Sequence, residues 1–295
     1  MLLLSQIAIN QVTNEMNNKN LKKRKADKQM QRQRKTDKYR IMEGRGLGEG
    51  ADYESWFKIP REVPSKGRTT TLLGWKSRRL HILLSDKELH SFVNYQWEDD
   101  VTDIREQYPL LPLEQTIVIA NELGIRHPSA RSEDGKLEEI VMTTDFLITK
   151  RDGDHVYNIA RDVKMSDELK KKRVLDKFKI VKGYWDMQDI DWGVVTEKEI
   201  SEVKGRNLFF LYHDYFWAEE HGIAGAELLA VVDRFKSKLA RYNFDLYKTI
   251  DIFDRENYWE SGTSLNFFRY LLVKKEILTD FNKRLNFETM EIWLP

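Results

Sequence analysis

The sequence predicts an α/β fold: a mixed sheet flanked by helices, followed by a mainly helical C-terminal region. Three observations carry this. Strand-like and helix-like segments alternate between Leu72 and about Ser201. Two strand-like runs, Ile140 to Thr149 and His155 to Lys164, flank a turn signal at Arg151-Asp152-Gly153-Asp154. The composition then shifts after about Val203, where an aromatic-rich stretch, Leu208 to Trp217, leads into helical patterning.

Each element has a local reason. Ser85 to about Glu98 reads as a helix whose Leu89, Phe92, Val93 and Trp97 fall on one side. Pro112 to Leu123 reads as a second helix, closed by Gly124. Ser166 to Asp186 is expected to be a strongly charged helix, and Trp192 to Thr196 a short apolar strand. Ala224 to Tyr242 and Thr263 to Leu278 carry helical apolar faces. The alternation in Phe281 to Leu294 predicts a small hairpin, and helices followed by a hairpin suggest a winged-helix-like shape. The expected division is a basic helical arm (1–42), an α/β domain (43–203) and the helical domain (204–295).

The chain has 295 residues and a net charge of +1. The charge is uneven: Lys22 to Arg40 holds ten basic residues against Asp27 and Asp37, or +8, which leaves −7 elsewhere. A block of this kind is an anion-binding arm or a solvated helix. The absence of cysteine excludes disulfides, thiolate-bound metals and thiol catalysis. The apolar start, Met1 to Ile9, has no preceding basic residue and no small-residue cleavage site after it. No stretch approaches a membrane-spanning length, so a soluble, cytoplasmic protein is expected. The glycine-rich run from Gly44 to Gly50 lacks the preceding strand and following helix of a nucleotide-binding loop.

The residues that suggest chemistry lie on the predicted hairpin. Alternation puts Asp162 and Lys164 on one face of their strand, within reach of Asp145 on the strand before. Carboxylates beside an amine suit phosphodiester hydrolysis: hard oxygens hold Mg²⁺ or Mn²⁺, and a lysine orients water or stabilises the phosphorane. Glu88, from the preceding helix, would complete the metal set. Ser85-Asp86-Lys87-Glu88 is equally a capping box in which Glu88 closes the helix start. The acid-x-Lys pattern alone is weak, since Asp134-Gly135-Lys136, Glu168-Leu169-Lys170 and Glu202-Val203-Lys204 repeat it. The six histidines show no zinc spacing; His127 is the one near these acids in sequence, and its neighbour Arg126 could hold phosphate or pair with a surface acid.

Longer blocks resemble a known family. They are Glu43-Gly44-Arg45-Gly46-x-Gly48-x-Gly50, Glu62-Val63-Pro64-Ser65-x-Gly67-Arg68, Leu83-Leu84-Ser85-Asp86-x-Glu88-Leu89 and Asp103-Ile104-Arg105-Glu106-Gln107-Tyr108-Pro109-Leu110-Leu111-Pro112. Gly124-Ile125-x-His127-Pro128, Thr144-Asp145-Phe146-Leu147, Val163-Lys164 and Tyr184-Trp185 follow in order. Together they resemble the TnsA endonucleases of TnsABC-type bacterial transposons. The resemblance implies a restriction-endonuclease-like domain followed by a winged-helix-like one. It implies Glu88, Asp145 and Lys164 as catalytic residues. Where a member of the family has glutamine, this chain has Asp162, an acid that fits the wider restriction-fold pattern and would join Glu88 and Asp145 in holding Mg²⁺, with Mn²⁺ able to substitute.

The resemblance further implies cleavage of the 5′, non-transferred strand at transposon ends. The implied partners are double-stranded DNA, a TnsB-type transposase and a TnsC-type AAA+ ATPase that meets the C-terminal domain. A restriction or repair nuclease of the same fold, and a non-catalytic DNA- and partner-binding adaptor, stay open as alternatives. Expected DNA contacts are Lys22, Lys23, Arg24, Lys25, Arg32, Arg34 and Lys35 of the arm, with Arg45 and Arg126. If the arm contacts phosphates, its removal will weaken DNA binding and flatten the dependence of log K on log salt, because each contact releases counterions. An unchanged slope returns the arm to a solvated helix.

Overall fold

The computed structural model describes residues 37–58, 68–131 and 135–295. Two short strands, β1 (Thr70–Leu73) and β2 (Leu80–Leu83), form an antiparallel pair that leads into helix α1 (Asp86–Trp97). Strand β3 (Val101–Pro109) then enters the main sheet, and α2 (Leu113–Glu122) follows. A small pair, β4 (Ser129–Arg131) and β5 (Leu137–Glu139), precedes the long hairpin β6 (Thr143–Asp152) and β7 (His155–Val163). Helix α3 (Lys172–Asp186) crosses over to β8 (Asp191–Val195). The sheet order is β3-β6-β7-β8, antiparallel except for the parallel β7–β8 pair that the α3 crossover requires.

Pleating divides the core. Phe146 and Ile148 face Leu89, Phe92 and Val93 of α1, whereas Leu147 and Ala160 face Ile119, Ile180, Val181 and Trp185 of α2 and α3. Consecutive residues of β6 therefore supply opposite faces, which is what period-two geometry demands. The predicted charged helix at 166–186 is split: a 3₁₀ turn at Ser166–Lys170 precedes α3, which begins after Lys171.

A buried ion network fixes β2 on β3, and with it the start of α1. Glu106 is fully buried and accepts from Arg79 Nη2 at 2.6 Å, while His81 Nδ1 lies 2.7 Å from the same carboxylate. Burial alone would raise this carboxyl; His81 and Arg79 overcome it and hold the group at about 2. Burial lowers the His81 pKa despite the neighbouring charge.

Beyond β8 come α4 (Glu202–Phe210), the short α5 (Trp217–Glu220), α6 (Gly225–Arg241), α7 (Leu246–Glu256) and α8 (Thr263–Val273). Their core of Trp217, Phe235, Phe253 and Phe267 is continuous with the α1 face of the sheet. Trp75 stacks between Tyr212 and Tyr215, at 4.5 and 4.7 Å, and donates from Nε1 to the Tyr212 carbonyl. Gly205 lets α4 lie on α1, since a Cβ there would stand 2.6 Å from that of His90. The expected terminal hairpin is absent among the described residues. Residues 281–294 form no ladder, and a lone bridge joins Leu278 to Trp293. No helix among the described residues is long and apolar enough to cross a membrane.

Glu106→Ala leaves Arg79 buried without its anion and is expected to cost about 3–5 kcal/mol, read as a lower urea midpoint at pH 7. Because the folded-state pKa lies below the ordinary value, the stabilisation is present above about pH 4 and fades as pH falls towards 2. The gap between wild type and variant should close over that range.

Candidate active site

Four sequence-selected residues come from three elements. Glu88 lies in the first turn of α1, Asp145 near the start of β6, and Asp162 at the end of β7 with Lys164 just beyond. The β6–β7 register sets Phe146 against Arg161, so Asp145 and Asp162 meet where the ladder ends. There, side chains replace backbone pairing. The Asp145 amide donates to Asp162 Oδ1 at 3.3 Å, and the Val163 amide donates to Asp145 Oδ2 at 2.8 Å. Trp192 Nε1 donates to the other Asp162 oxygen at 2.7 Å. Lys164 is exposed beside them.

Glu88 serves two purposes. Ser85 Oγ accepts from the Glu88 amide at 3.2 Å and donates to Glu88 Oε1 at 3.0 Å, while the Leu84 amide donates to Oε2 at 2.9 Å. This is a capping box, displaced by one residue from the simple form, which would use the Ser85 amide. The same Oε2 accepts from Gln107 Nε2 at 3.2 Å, and the Glu88 carboxyl lies in the field of Asp145. Capping fixes the glutamate at the site.

The electrostatics are those of anions crowded together. Burial first, and the Asp145 charge second, push both Glu88 and Asp162 up to about 8. Burial raises Asp145 too, against the Val163 amide, Lys164 and a hydrogen bond from Gln107. Asp145 is therefore the centre, with Glu88 on one side and Asp162 on the other. Among the described residues no three acids or histidines converge as a ready metal cage. The Glu88–Asp145 pair fits a divalent cation: both groups are hard oxygen donors whose mutual repulsion a cation would relieve. Asp162 is tied through both oxygens, one to the Asp145 amide and the other to Trp192 Nε1.

Other expected residues lie elsewhere. Lys22, Lys23, Arg24, Lys25, Arg32, Arg34 and Lys35 are outside the described residues. Arg126 is exposed. Arg45 does not present itself to DNA: it is 5% exposed, donating to Glu43 Oε2 and the Trp56 carbonyl. The glycine-rich segment around it packs on β3. Gly46 has φ +84°, and a Cβ there would stand 2.2 Å from the Pro109 ring. His127 is buried against Thr116 and Pro128 and takes no part in the site. Sequence reasoning missed Gln107 and Trp192 as partners of the acids. Gln107 lies within the Asp103–Pro112 block, and nothing in the sequence marks it as reaching Glu88.

A mixed sheet flanked by helices, with crowded carboxylates and an exposed lysine at a strand end, defines an α/β protein suited to phosphodiester chemistry. Comparison with known proteins narrows this. Residues 98–197 match the sequence model described as TnsA-like endonuclease N terminal, and 199–281 match that of TnsA endonuclease C terminal. The chain is 43% identical over 173 residues to the Escherichia coli protein named Transposon Tn7 transposition protein TnsA, a match covering 59% of this chain and 60% of that protein. The chain belongs to the TnsA endonuclease family. Asp145, Asp162 and Lys164 fall within the matched N-terminal segment, and Glu88 precedes it.

The raised carboxyls carry a sign that can be tested. Folded-state pKa values above the ordinary range mean that stability is present below about pH 4 and is lost as pH rises through about 8. Asp145→Asn removes the central charge. In EDTA the variant should melt higher than wild type at pH 8, with the difference shrinking towards pH 4. A lower melting temperature at pH 8 would show that these anions do not strain the fold.

Proposed function

We propose that this chain is the endonuclease subunit of a TnsABC-type transposition machinery, hydrolysing the 5′, non-transferred strand at transposon ends with Mg²⁺. The observation that carries this reading is Asp145, which sits between Glu88 and Asp162 with Lys164 beside it in a chain of the TnsA family. Glu88 and Asp145 would hold the cation, with Asp162 steadying Asp145 through its amide. Mn²⁺ should substitute, since the same oxygen donors suit it. When bound, the cation would lower the pKa of a water and neutralise charge developing on the phosphate.

The protein's own groups do the remainder. The exposed Lys164 ammonium attracts the scissile phosphate and holds it beside the acids. The Val163 amide fixes the orientation of Asp145, while the Leu84 amide, the Ser85 hydroxyl and Gln107 fix Glu88. Trp192 donates to the buried Asp162 and holds its second oxygen. Double-stranded DNA, a TnsB-type transposase and a TnsC-type AAA+ ATPase docking on residues 204–295 are the partners of this reading. It places the chain in the cytoplasm, on the nucleoid when bound to DNA.

The test is strand-specific cleavage of labelled transposon-end DNA, with Mg²⁺ and with or without the cognate transposase. Asp145→Ala should keep folding and DNA binding but lose about 100-fold or more of 5′ nicking, while joining at the 3′ ends continues and products shift towards cointegrates. Normal 5′ cleavage by the variant removes Asp145 from the active site. DNA and partner binding without any nicking by wild type favours an adaptor. Cleavage of ordinary or branched DNA without a transposase favours a restriction or repair nuclease.

A further inference from the structure

Strand β3 departs from its own alternation at one residue, and that residue reaches the candidate site. Ile104 lies in the core cluster beneath α1, and Glu106 is on the same side, bonded to Arg79 and His81. Arg105 takes the opposite face, donating to Thr149 Oγ1 and Asn158 Oδ1, each at 3.0 Å. Strict alternation would send Gln107 after Arg105 and Tyr108 after Glu106. The reverse is found. Gln107 donates to Glu88 on the α1 side, and Tyr108 packs against Trp185 on the other, with ring centroids 5.7 Å apart.

The cause is local. Gln107 has φ +51°, a left-handed conformation that residues with a side chain rarely adopt. It is nonetheless buried, at 4% exposure. The register with β6 is unbroken at this point. Glu106 pairs with Phe146 and Tyr108 with Thr144, which puts Gln107 directly opposite Asp145. Thr144 accepts from Trp185 Nε1 at 2.8 Å on the α2–α3 face, whereas Phe146, two residues on, lies beneath α1. Gln107 and Asp145 thus leave the alternation together; the Gln107 carboxamide hydrogen-bonds Glu88 and lies opposite Asp145.

We propose that Gln107 is the positioning residue of this site: its left-handed backbone turns it and Asp145 out of the strand alternation, and its carboxamide holds Glu88 beside Asp145 so that the two share one divalent cation. The proposal rests on the reading of these acids as a metal site. It assigns Gln107 no contact with substrate. Groups that orient metal ligands from behind typically change metal affinity about 10–100-fold when removed.

The experiment is calorimetric titration of the full chain with Mn²⁺, without DNA, comparing wild type, Gln107→Leu, Gln107→Gly and Asp145→Ala. Gln107→Leu removes the amide at similar size. Gln107→Gly removes it and also relieves the left-handed backbone, so this variant should fold and melt in EDTA no lower than wild type. Both should bind Mn²⁺ about 10–100-fold more weakly, and raising Mn²⁺ should restore their cleavage, which a merely structural defect would not allow. If both variants bind Mn²⁺ as wild type does while Asp145→Ala does not, the role of Gln107 falls and the metal site stands. If wild type binds no Mn²⁺, or Asp145→Ala binds it unchanged, the metal site falls and this proposal with it.

Discussion

Glu88, Asp145 and Asp162 crowd together, and their mutual repulsion must be held in check by the elements that carry them. The carboxylates are carried by three elements, and the fold holds them where water alone cannot screen them. Left to themselves, like charges in a low-dielectric setting take up protons or move apart. Here they cannot readily move apart. Glu88 is tied to the first turn of α1 by the Leu84 amide and Ser85, Asp145 to the Val163 amide, and Asp162 to the Asp145 amide and Trp192. The surrounding architecture serves to keep those ties in place.

That service runs through two buried systems. On one side the Arg79–Glu106–His81 network clamps the β1–β2 pair to β3, and so sets where α1 begins and where Glu88 stands. On the other, Trp185 and Tyr184 anchor α3 beneath the sheet, and the crossover delivers Trp192 on β8 to Asp162. The C-terminal helices press on α1 through a core shared with the sheet, and Trp97 Nε1 donates to the Val273 carbonyl. A group that bound those helices would bear on the element carrying Glu88.

Much of this was legible in the sequence, for reasons that can be named. The β6–β7 hairpin showed because its tip is exposed and its turn holds Gly153, which adopts φ +57°. The start of α1 showed because Ser85 and Glu88 have capping spacing, and α6 because one of its faces is wet. Other features were set by tertiary contacts. Strand β3 is buried on both faces over most of its length, so it shows no alternation to read. The burial of Arg45 depends on Trp56, eleven residues away, and no local pattern announces it. Helix α7, Leu246–Glu256, owes its place to tertiary packing, its apolar positions lying on α6 and α8. The terminal stretch alternates as a hairpin would, but its chain returns as a single bridge. Within the site, the acids and lysine could be named from spacing and resemblance. Gln107 could not, because a positive φ leaves no mark on a sequence.

The central claim is that Glu88 and Asp145 are held together to share a cation. Its most direct test is anomalous scattering from a crystal of the full chain grown with Mn²⁺. A peak within direct coordination distance of both carboxylates, about 2 Å for a small divalent cation on oxygen, is expected, with Asp162 bonded to Trp192 and the Asp145 amide. A peak elsewhere, or none at saturating Mn²⁺, would contradict it.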